Sequence, residues 1–220
     1  KKKIDTLKKK ELTNNQLLIL DEPQLFNEWE QRYQNNSNNV SNIQFSNSGN
    51  IEKYLKISKS QINKNILFSD NKIIFSDQKG NIGVFSLNKN KLVFKYNFYK
   101  KKFKKIKKKL NIIVENNVIF VADNLGYFYA YNYELKRVIW AKNYKVPFSS
   151  NLKIFNNKIA VSNQNNNLYI INKKTGDLFK LIPTEETFIK NKFINNLSIV
   201  DENKLFFLNS FGSLYSINTD

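Results

Sequence analysis

The sequence contains no cysteine, no histidine and no methionine, and it has only six glycines and three prolines. Without cysteine and histidine there is no thiolate nucleophile, no imidazole base and no Cys/His zinc site. A disulfide framework is also excluded, so cysteine usage gives no information about the redox compartment. Because position 1 is not methionine, we expect the chain to start after processing or to be a piece of a longer protein.

Long hydrophobic runs are also absent. The longest are short, such as Val118–Ala122, whereas a membrane-spanning helix needs roughly 18 apolar residues. The apolar stretch Leu17–Leu20 is too short for the core of a signal peptide. Any export signal or lipid anchor would therefore lie upstream of Lys1.

Apolar and aromatic residues are nevertheless abundant, at 41% and 14% of the 220 residues, which is enough for a substantial core. The formal net charge is +18. This charge has two interpretations. Lys, Asn, Ile, Phe and Tyr all have A/T-rich codons, so genome composition alone would give a lysine-rich surface. The other interpretation is a basic surface that binds a partner.

The lysines are most concentrated between positions 100 and 109, where only Phe103 and Ile106 interrupt them. We call this segment the basic loop. Its eight lysines are Lys100, Lys101, Lys102, Lys104, Lys105, Lys107, Lys108 and Lys109.

An internal repeat organises most of the chain. Four units begin at Asn71, Asn117, Asn157 and Asn203, align without a gap and follow one another at intervals of 40 to 46 residues. Each unit has an apolar run, a turn residue that tolerates positive φ, and then a strand rich in aromatic residues. The turn residues are Gly80, Gly126, Asn166 and Gly212. A third strand follows the second, and a further strand precedes each unit.

Four short antiparallel strands per unit, without helical periodicity, predict the blades of a β-propeller. A β-sandwich is the alternative. We expect about four blades over residues 51–220, in units near 65–99, 110–144, 150–182 and 195–220. We expect them to be part of a longer propeller of about eight blades. In the alternative, a closed four-bladed ring, Lys53–Ser58 would supply the missing outer strand of the fourth blade. Residues 1–50 show no repeat and are expected to form an extended, partly disordered strap, with a turn of helix around Leu25–Arg32.

The second unit resembles a known type of propeller repeat. Its Asp123, Gly126, Tyr129, Ala130 and Trp140, together with a Thr175–Gly176 pair in the third unit, resemble the PQQ-like β-propeller repeat. Within that class the chain looks most like the propeller lipoproteins of the outer-membrane β-barrel assembly machinery. The leader Phe26–Asn39 resembles the Asn-x-Trp segment of that group without its glycines. Two positions depart from the repeat, because Phe94 and Lys180 stand where tryptophan is usual.

The resemblance implies a non-catalytic periplasmic scaffold that docks on the barrel-inserting subunit and guides extended strands by edge pairing. It also directs attention to the loop Asn143–Asn151, where Val146, Pro147, Phe148 and Ser149 are the candidate interface residues. In that group an arginine stands where this chain has Ser149. The alternative is that Pro147 and Phe148 only fill the gap between two blades.

Some members of the repeat class are quinone-dependent dehydrogenases with a metal at the propeller centre, which makes a dehydrogenase fragment an alternative function. Asp77, Asp123, Asn163 and Asn209 recur at the end of the first strand of each unit. They are candidates for metal ligands, but a position that recurs in every unit favours a hairpin cap. We therefore predict no enzyme activity, no cofactor and no catalytic or metal-binding residue.

A third alternative is a basic propeller that binds nucleic acid or another anionic surface. No aromatic-plus-basic motif of a nucleic-acid module is present, so we do not expect nucleic acid. The repeat places the basic loop between two blades, with Phe103 and Ile106 holding it to the propeller and the ammonium groups facing water. Its expected partners are an acidic protein surface or an anionic membrane.

Overall fold

A computed structural model describes residues 20–44, 56–187, 194–200 and 204–219. These residues form fifteen β-strands, in four separate antiparallel sheets, and one 3-10 turn at Lys101–Phe103. Each sheet is a meander in which consecutive strands are neighbours. The predicted all-β propeller with about four blades is confirmed.

The strand bounds follow the repeat closely. Blade 1 contains β1 (Leu67–Ser69), β2 (Lys72–Ser76), β3 (Asn81–Ser86) and β4 (Lys91–Asn97). Blade 2 contains β5 (Leu110–Glu115), β6 (Val118–Asp123), β7 (Tyr127–Asn132) and β8 (Arg137–Asn143). Blade 3 contains β9 (Lys153–Phe155), β10 (Lys158–Ser162), β11 (Leu168–Asn172) and β12 (Leu178–Ile182). Blade 4 contains β13 (Asn196–Val200), β14 (Lys204–Leu208) and β15 (Leu214–Asn218).

In each blade, an Asp or Asn side chain caps the hairpin between the second and third strands. In blade 2, one carboxylate oxygen of Asp123 accepts hydrogen bonds from the backbone N–H groups of Leu125 and Tyr127, both at 2.8 Å. Equivalent pairs of bonds are made by Asp77, Asn163 and Asn209. The predicted hairpin caps are confirmed, and the four predicted turn residues Gly80, Gly126, Asn166 and Gly212 all have positive φ.

The hydrophobic core lies between neighbouring blades, because successive side chains of a strand point to opposite faces of its sheet. Three apolar clusters join blade 1 to blade 2, blade 2 to blade 3, and blade 3 to blade 4. Trp140 on β8 shows how one blade engages the next. Its indole N–H donates to the carbonyl of Lys173 at 2.9 Å, and its ring lies over Gly176. A Cβ on Gly176 would be 2.4 Å from the ring, so the Thr-Gly turn of blade 3 leaves room for the tryptophan of blade 2.

Hydrogen bonds join the leader to all four blades. Trp29 pairs with Phe68 on β1, and the carbonyl of Glu30 accepts from the N–H of Val114 on β5 at 2.9 Å. Further along, the side chain of Asn36 donates to the carbonyl of Ile154 on β9 at 3.1 Å. On β13, Ile199 N–H donates to the Asn36 carbonyl, and the Asn38 side chain donates to the Leu197 carbonyl. Residues 29–38 thus cross the innermost strands of the four blades.

Two local predictions were wrong or lie outside the described residues. No helical turn forms at Leu25–Arg32, because the backbone there is extended and hydrogen-bonds to the blades. The strand proposed at Lys53–Ser58 lies partly outside the described residues, and its described part, residues 56–58, is not a strand. Residues 1–19 and 45–50 of the expected strap also lie outside them.

Candidate functional site: the connector face

One face of the propeller carries both the capped hairpin turns and the connectors that lead from an outer strand to the next inner strand. The two kinds of loop are joined by backbone hydrogen bonds. Lys108 N–H donates to the Gln78 carbonyl at 2.9 Å, and Phe148 N–H donates to the Asp123 carbonyl at 2.9 Å. We call this surface the connector face. It contains both the basic loop and the loop Asn143–Asn151.

Of the four candidate interface residues in the loop between blades 2 and 3, one is buried and three are partly exposed. Phe148 is only 4% exposed and packs edge-to-face against Phe128 and Tyr169. Its side chain fills the gap between the two blades, as the alternative interpretation expected, and is not available to a partner. Val146, Pro147 and Ser149 are partly exposed.

Short contacts hold these exposed residues in place. The Pro147 carbonyl accepts from Gln164 N–H at 2.8 Å, and Ser149 N–H donates to the Ser162 carbonyl at 2.9 Å. The loop also packs closely on the hairpin of blade 2, since a Cβ added to Gly126 would lie 3.0 Å from the backbone of Lys145 and Val146. The loop is therefore fixed against the hairpins of blades 2 and 3, and a fixed loop loses little conformational entropy when a partner binds it.

The basic loop is a connector between blades 1 and 2, as predicted, but one of its side chains does not follow the prediction. Lys108 is 1% exposed, and its ammonium group donates to the carbonyl of Phe103. Conversely, Ile106 is 43% exposed and does not hold the loop down. Phe103 does, by packing edge-to-face against Tyr99 and Tyr127. The remaining seven lysines are exposed: Lys100, Lys101, Lys102, Lys104, Lys105, Lys107 and Lys109.

A buried polar cluster lies beneath the basic loop. The hydroxyl of Tyr99 donates to the second carboxylate oxygen of Asp123, which is fully buried. Burial raises the pKa of Asp123, while the hydrogen bonds from Tyr99 and the backbone oppose that shift. Burial also lowers the pKa of Lys108, and the charge of Asp77 opposes it. This cluster joins blades 1 and 2. The sequence alone does not reveal it, because Tyr99 and Lys108 look like parts of a solvated basic run.

The connector between blades 3 and 4 is also tied to its hairpins. Glu185 accepts hydrogen bonds from the hydroxyl of Ser213 at 2.6 Å and the amide of Asn209 at 3.3 Å, and these bonds lower its pKa. Glu186 accepts from the amide of Asn167 at 2.8 Å. The two carboxylates therefore hold the connector to the hairpin turns of blades 3 and 4.

In the part of the chain that the structure describes, no three Asp or Glu residues converge in a group that could hold a metal ion. Asp77, Asp123, Asn163 and Asn209 each close a separate hairpin. No described helix is long and apolar enough to cross a bilayer.

Comparisons with known proteins agree on the fold. No protein-family model and no curated protein sequence matches this chain. Among solved structures, it is similar to the computationally designed Ika4 protein, with a TM-score of 0.60 and 12% identity over 76% of this chain and 96% of Ika4. It is also similar to the C-terminal WD40 domain of Sif2, with a TM-score of 0.58 and 10% identity over 74% of this chain and 47% of that one.

A third similar structure is BamB from Moraxella catarrhalis, with a TM-score of 0.50 and 16% identity over 69% of this chain and 41% of BamB. The chain thus spans less than half of the BamB and Sif2 structures and nearly all of Ika4. At these identities the likeness shows the propeller fold alone.

Proposed function

We propose that the protein is a non-catalytic scaffold of the periplasm that assists the assembly of outer-membrane β-barrel proteins by docking on the barrel-inserting subunit. The PQQ-like repeat, the Asn-x-Trp leader and the fold likeness to BamB support this assignment. In this proposal the protein is a periplasmic lipoprotein associated with the outer membrane.

The observation that carries the proposal is the fixed presentation of Val146 and Pro147 on the connector face. An apolar pair in a surface loop favours a binding site, since apolar side chains at the centre of an interface carry much of its binding energy. Phe148 anchors the loop from below, so the pair keeps its position before a partner arrives. Ser149, which stands where related propellers have arginine, lies beside the pair and would make a neutral contact.

The test is direct binding between the purified chain and the periplasmic domains of the barrel-inserting subunit from the same organism. Val146→Asp should weaken binding at least tenfold, because it places a charge in an apolar contact. Leu135→Asp is the matched control, since Leu135 is 62% exposed in the β7–β8 turn, at the opposite end of blade 2. It should bind like the wild type. Absence of binding by the wild-type chain, or equal weakening by both variants, would sink the proposal.

A further inference from the structure

A cavity opens on the connector face where the inner strands of blades 1 and 2 begin. It has a volume of about 300 Å³, at the lower end of the range for small-molecule sites. Three separate segments of chain bring a cation to its lining. Arg32 comes from the leader, Lys64 from the segment before β1, and Lys109 from the end of the basic loop. We call it the axial cavity.

The described lining of the axial cavity is basic and polar. No carboxylate is among the described residues that line the axial cavity, and five of the others carry amide side chains, namely Gln61, Asn63, Asn65, Gln78 and Asn111. Arg32, Lys64 and Lys109 form no ion pair with any described residue. Three unpaired cations around one cavity repel each other, and an anion bound between them would remove that repulsion.

Hydrogen bonds fix the segments that carry the two lysines. Lys109 N–H donates to the side chain of Asn124 at 2.8 Å, and the same side chain donates to the Lys107 carbonyl at 3.1 Å. Next to Lys64, Asn63 bonds to Ser76 through both its backbone N–H, at 2.7 Å, and its side chain, at 3.0 Å. The backbone at both lysines is thus held by the β-sheet of blade 1 and the hairpin of blade 2, while their side chains are exposed.

The cavities on the opposite side of the leader are lined by different charged residues. Two cavities there are lined by residues that include Glu30 and Glu115, with no lysine or arginine among their described lining residues. Glu115 forms an ion pair with Lys173, so its charge is balanced within the chain. The three cations of the axial cavity have no such partner among the described residues.

We propose that the axial cavity binds a small molecule that carries phosphate groups. A guanidinium group matches two phosphate oxygens, two ammonium groups neutralise further charge, and amides can donate to the remaining oxygens. The volume admits a small molecule and not a folded segment of a macromolecule. This site does not depend on the scaffold function proposed above.

The test is calorimetric titration of the full chain with pyrophosphate in a phosphate-free buffer of low ionic strength. The wild type should bind saturably with one site. The triple variant Arg32→Gln/Lys64→Gln/Lys109→Gln should bind at least tenfold more weakly. The matched control is Lys89→Gln/Lys136→Gln/Lys174→Gln, which removes three exposed lysines from the turns at the opposite end of the blades. It changes the net charge equally and should bind like the wild type.

Absence of saturable binding by the wild type, or equal weakening in both triple variants, would overturn the proposal. Far-UV circular dichroism and thermal melting check that the variants fold. If the site triple variant does not fold, the single variants Lys64→Gln and Lys109→Gln replace it, and each should weaken binding about threefold. A second titration uses vesicles of phosphatidylglycerol in phosphatidylcholine. Vesicle binding that needs Arg32, Lys64 and Lys109, without pyrophosphate binding, would identify a lipid headgroup and also overturn the proposal.

Discussion

At the scale of single residues, the contact between Trp140 and Gly176 explains why the Thr-Gly turn of blade 3 contains a glycine. Gly176 has φ of +72°, and an added Cβ would overlap the indole ring. Where blade 1 meets blade 2, the corresponding aromatic residue is Phe94, which packs on the ring of Tyr131 with centroids 5.1 Å apart. The pairing of tryptophan with a Thr-Gly turn is therefore a packing requirement between neighbouring blades.

We predict that Gly176→Ala destabilises the protein by about 2–4 kcal/mol, because it combines left-handed backbone strain with overpacking. Gly212→Ala is the matched control. Gly212 also has positive φ, at +92°, but an added Cβ would meet nothing within 4 Å. The Gly212→Ala variant should therefore lose only about 1 kcal/mol of stability. Urea unfolding measures both free energies, and equal losses would contradict the packing argument.

Lys153 shows how a charge is accommodated beneath the leader. It is 1% exposed, and its side-chain nitrogen donates to Gln31 Oε1 at 2.9 Å and to the Asn35 carbonyl at 2.7 Å. Burial lowers its pKa to about 7. The unfolded chain keeps this proton up to the ordinary lysine pKa of 10.5, so it binds more protons than the folded chain between these values. Stability should therefore rise with pH in that window.

We predict that the free energy of unfolding increases by about 3 kcal/mol more in the wild type than in Lys153→Met between pH 7 and 9.5. Comparison with the variant cancels the contributions of other titrating groups. Below pH 7 the free energies of unfolding of the wild type and the variant should change with pH in parallel, because Lys153 is then charged in both the folded and the unfolded chain. Chemical denaturation at several pH values provides the measurement, and parallel curves above pH 7 would refute the prediction.

At the scale of elements, the connectors have different roles although they occupy equivalent places. The loop after β8 supplies a core residue, Phe148, and the loop after β12 is tied down by Glu185 and Glu186. The basic loop combines a buried lysine with a highly charged exterior. Connectors vary in this way because only their ends are constrained by the strands, whereas the hairpins repeat the same cap in every blade.

We predict that replacing six exposed lysines of the basic loop by glutamine abolishes binding to anionic vesicles and leaves the melting temperature close to that of the wild type. These six are Lys100, Lys101, Lys102, Lys104, Lys105 and Lys107, so Lys109 of the axial cavity is retained. In contrast, Lys108→Met should lower stability by about 1–3 kcal/mol, since it removes the donor to a carbonyl at a buried site. Vesicle sedimentation and thermal melting test the two effects, and unchanged vesicle binding would show that the loop is only a solvated connector.

At the scale of the whole molecule, the faces of the blades are not equally covered. On blade 4, Leu205 and Phe207 face blade 3 and are fully buried, whereas Leu208 and Leu214 on the other face are 42% and 65% exposed. The corresponding faces of blades 1 to 3 are buried by the next blade. Exposed apolar area on a sheet favours association with other surfaces.

We predict that the double variant Leu208→Lys/Leu214→Lys folds like the wild type and associates less at high protein concentration. Sedimentation velocity over a concentration series measures the association. Leu205→Lys serves as the contrasting change, because it buries an unpaired charge between blades 3 and 4 and should unfold that blade. Equal association of the wild type and the double variant would show that this face does not drive contacts between molecules.

Most of the fold was predictable because the repeated pattern carries local rules. The strands of each blade are antiparallel, as predicted, and the four hairpin turns have the predicted positive φ. These features depend on alternating apolar residues and on turn residues, which are visible in any one unit. The buried position of Lys108 was not predictable, because the hairpin of the neighbouring blade encloses it. The course of the leader was not predictable, because its partners lie far away in the sequence.

The propeller, its blade spacing and the cap of each hairpin can be read from the sequence, since their patterns lie within one unit of the repeat. The sequence also indicates where an interface loop and a basic loop lie. Which side chains of those loops are free is set by the packing of neighbouring blades. Phe148 and Lys108 are buried because neighbouring blades enclose them, while Arg32, Lys64 and Lys109 converge because three distant segments meet at the axial cavity. Convergence of this kind has no periodic signature, so the order of residues along the chain does not reveal it.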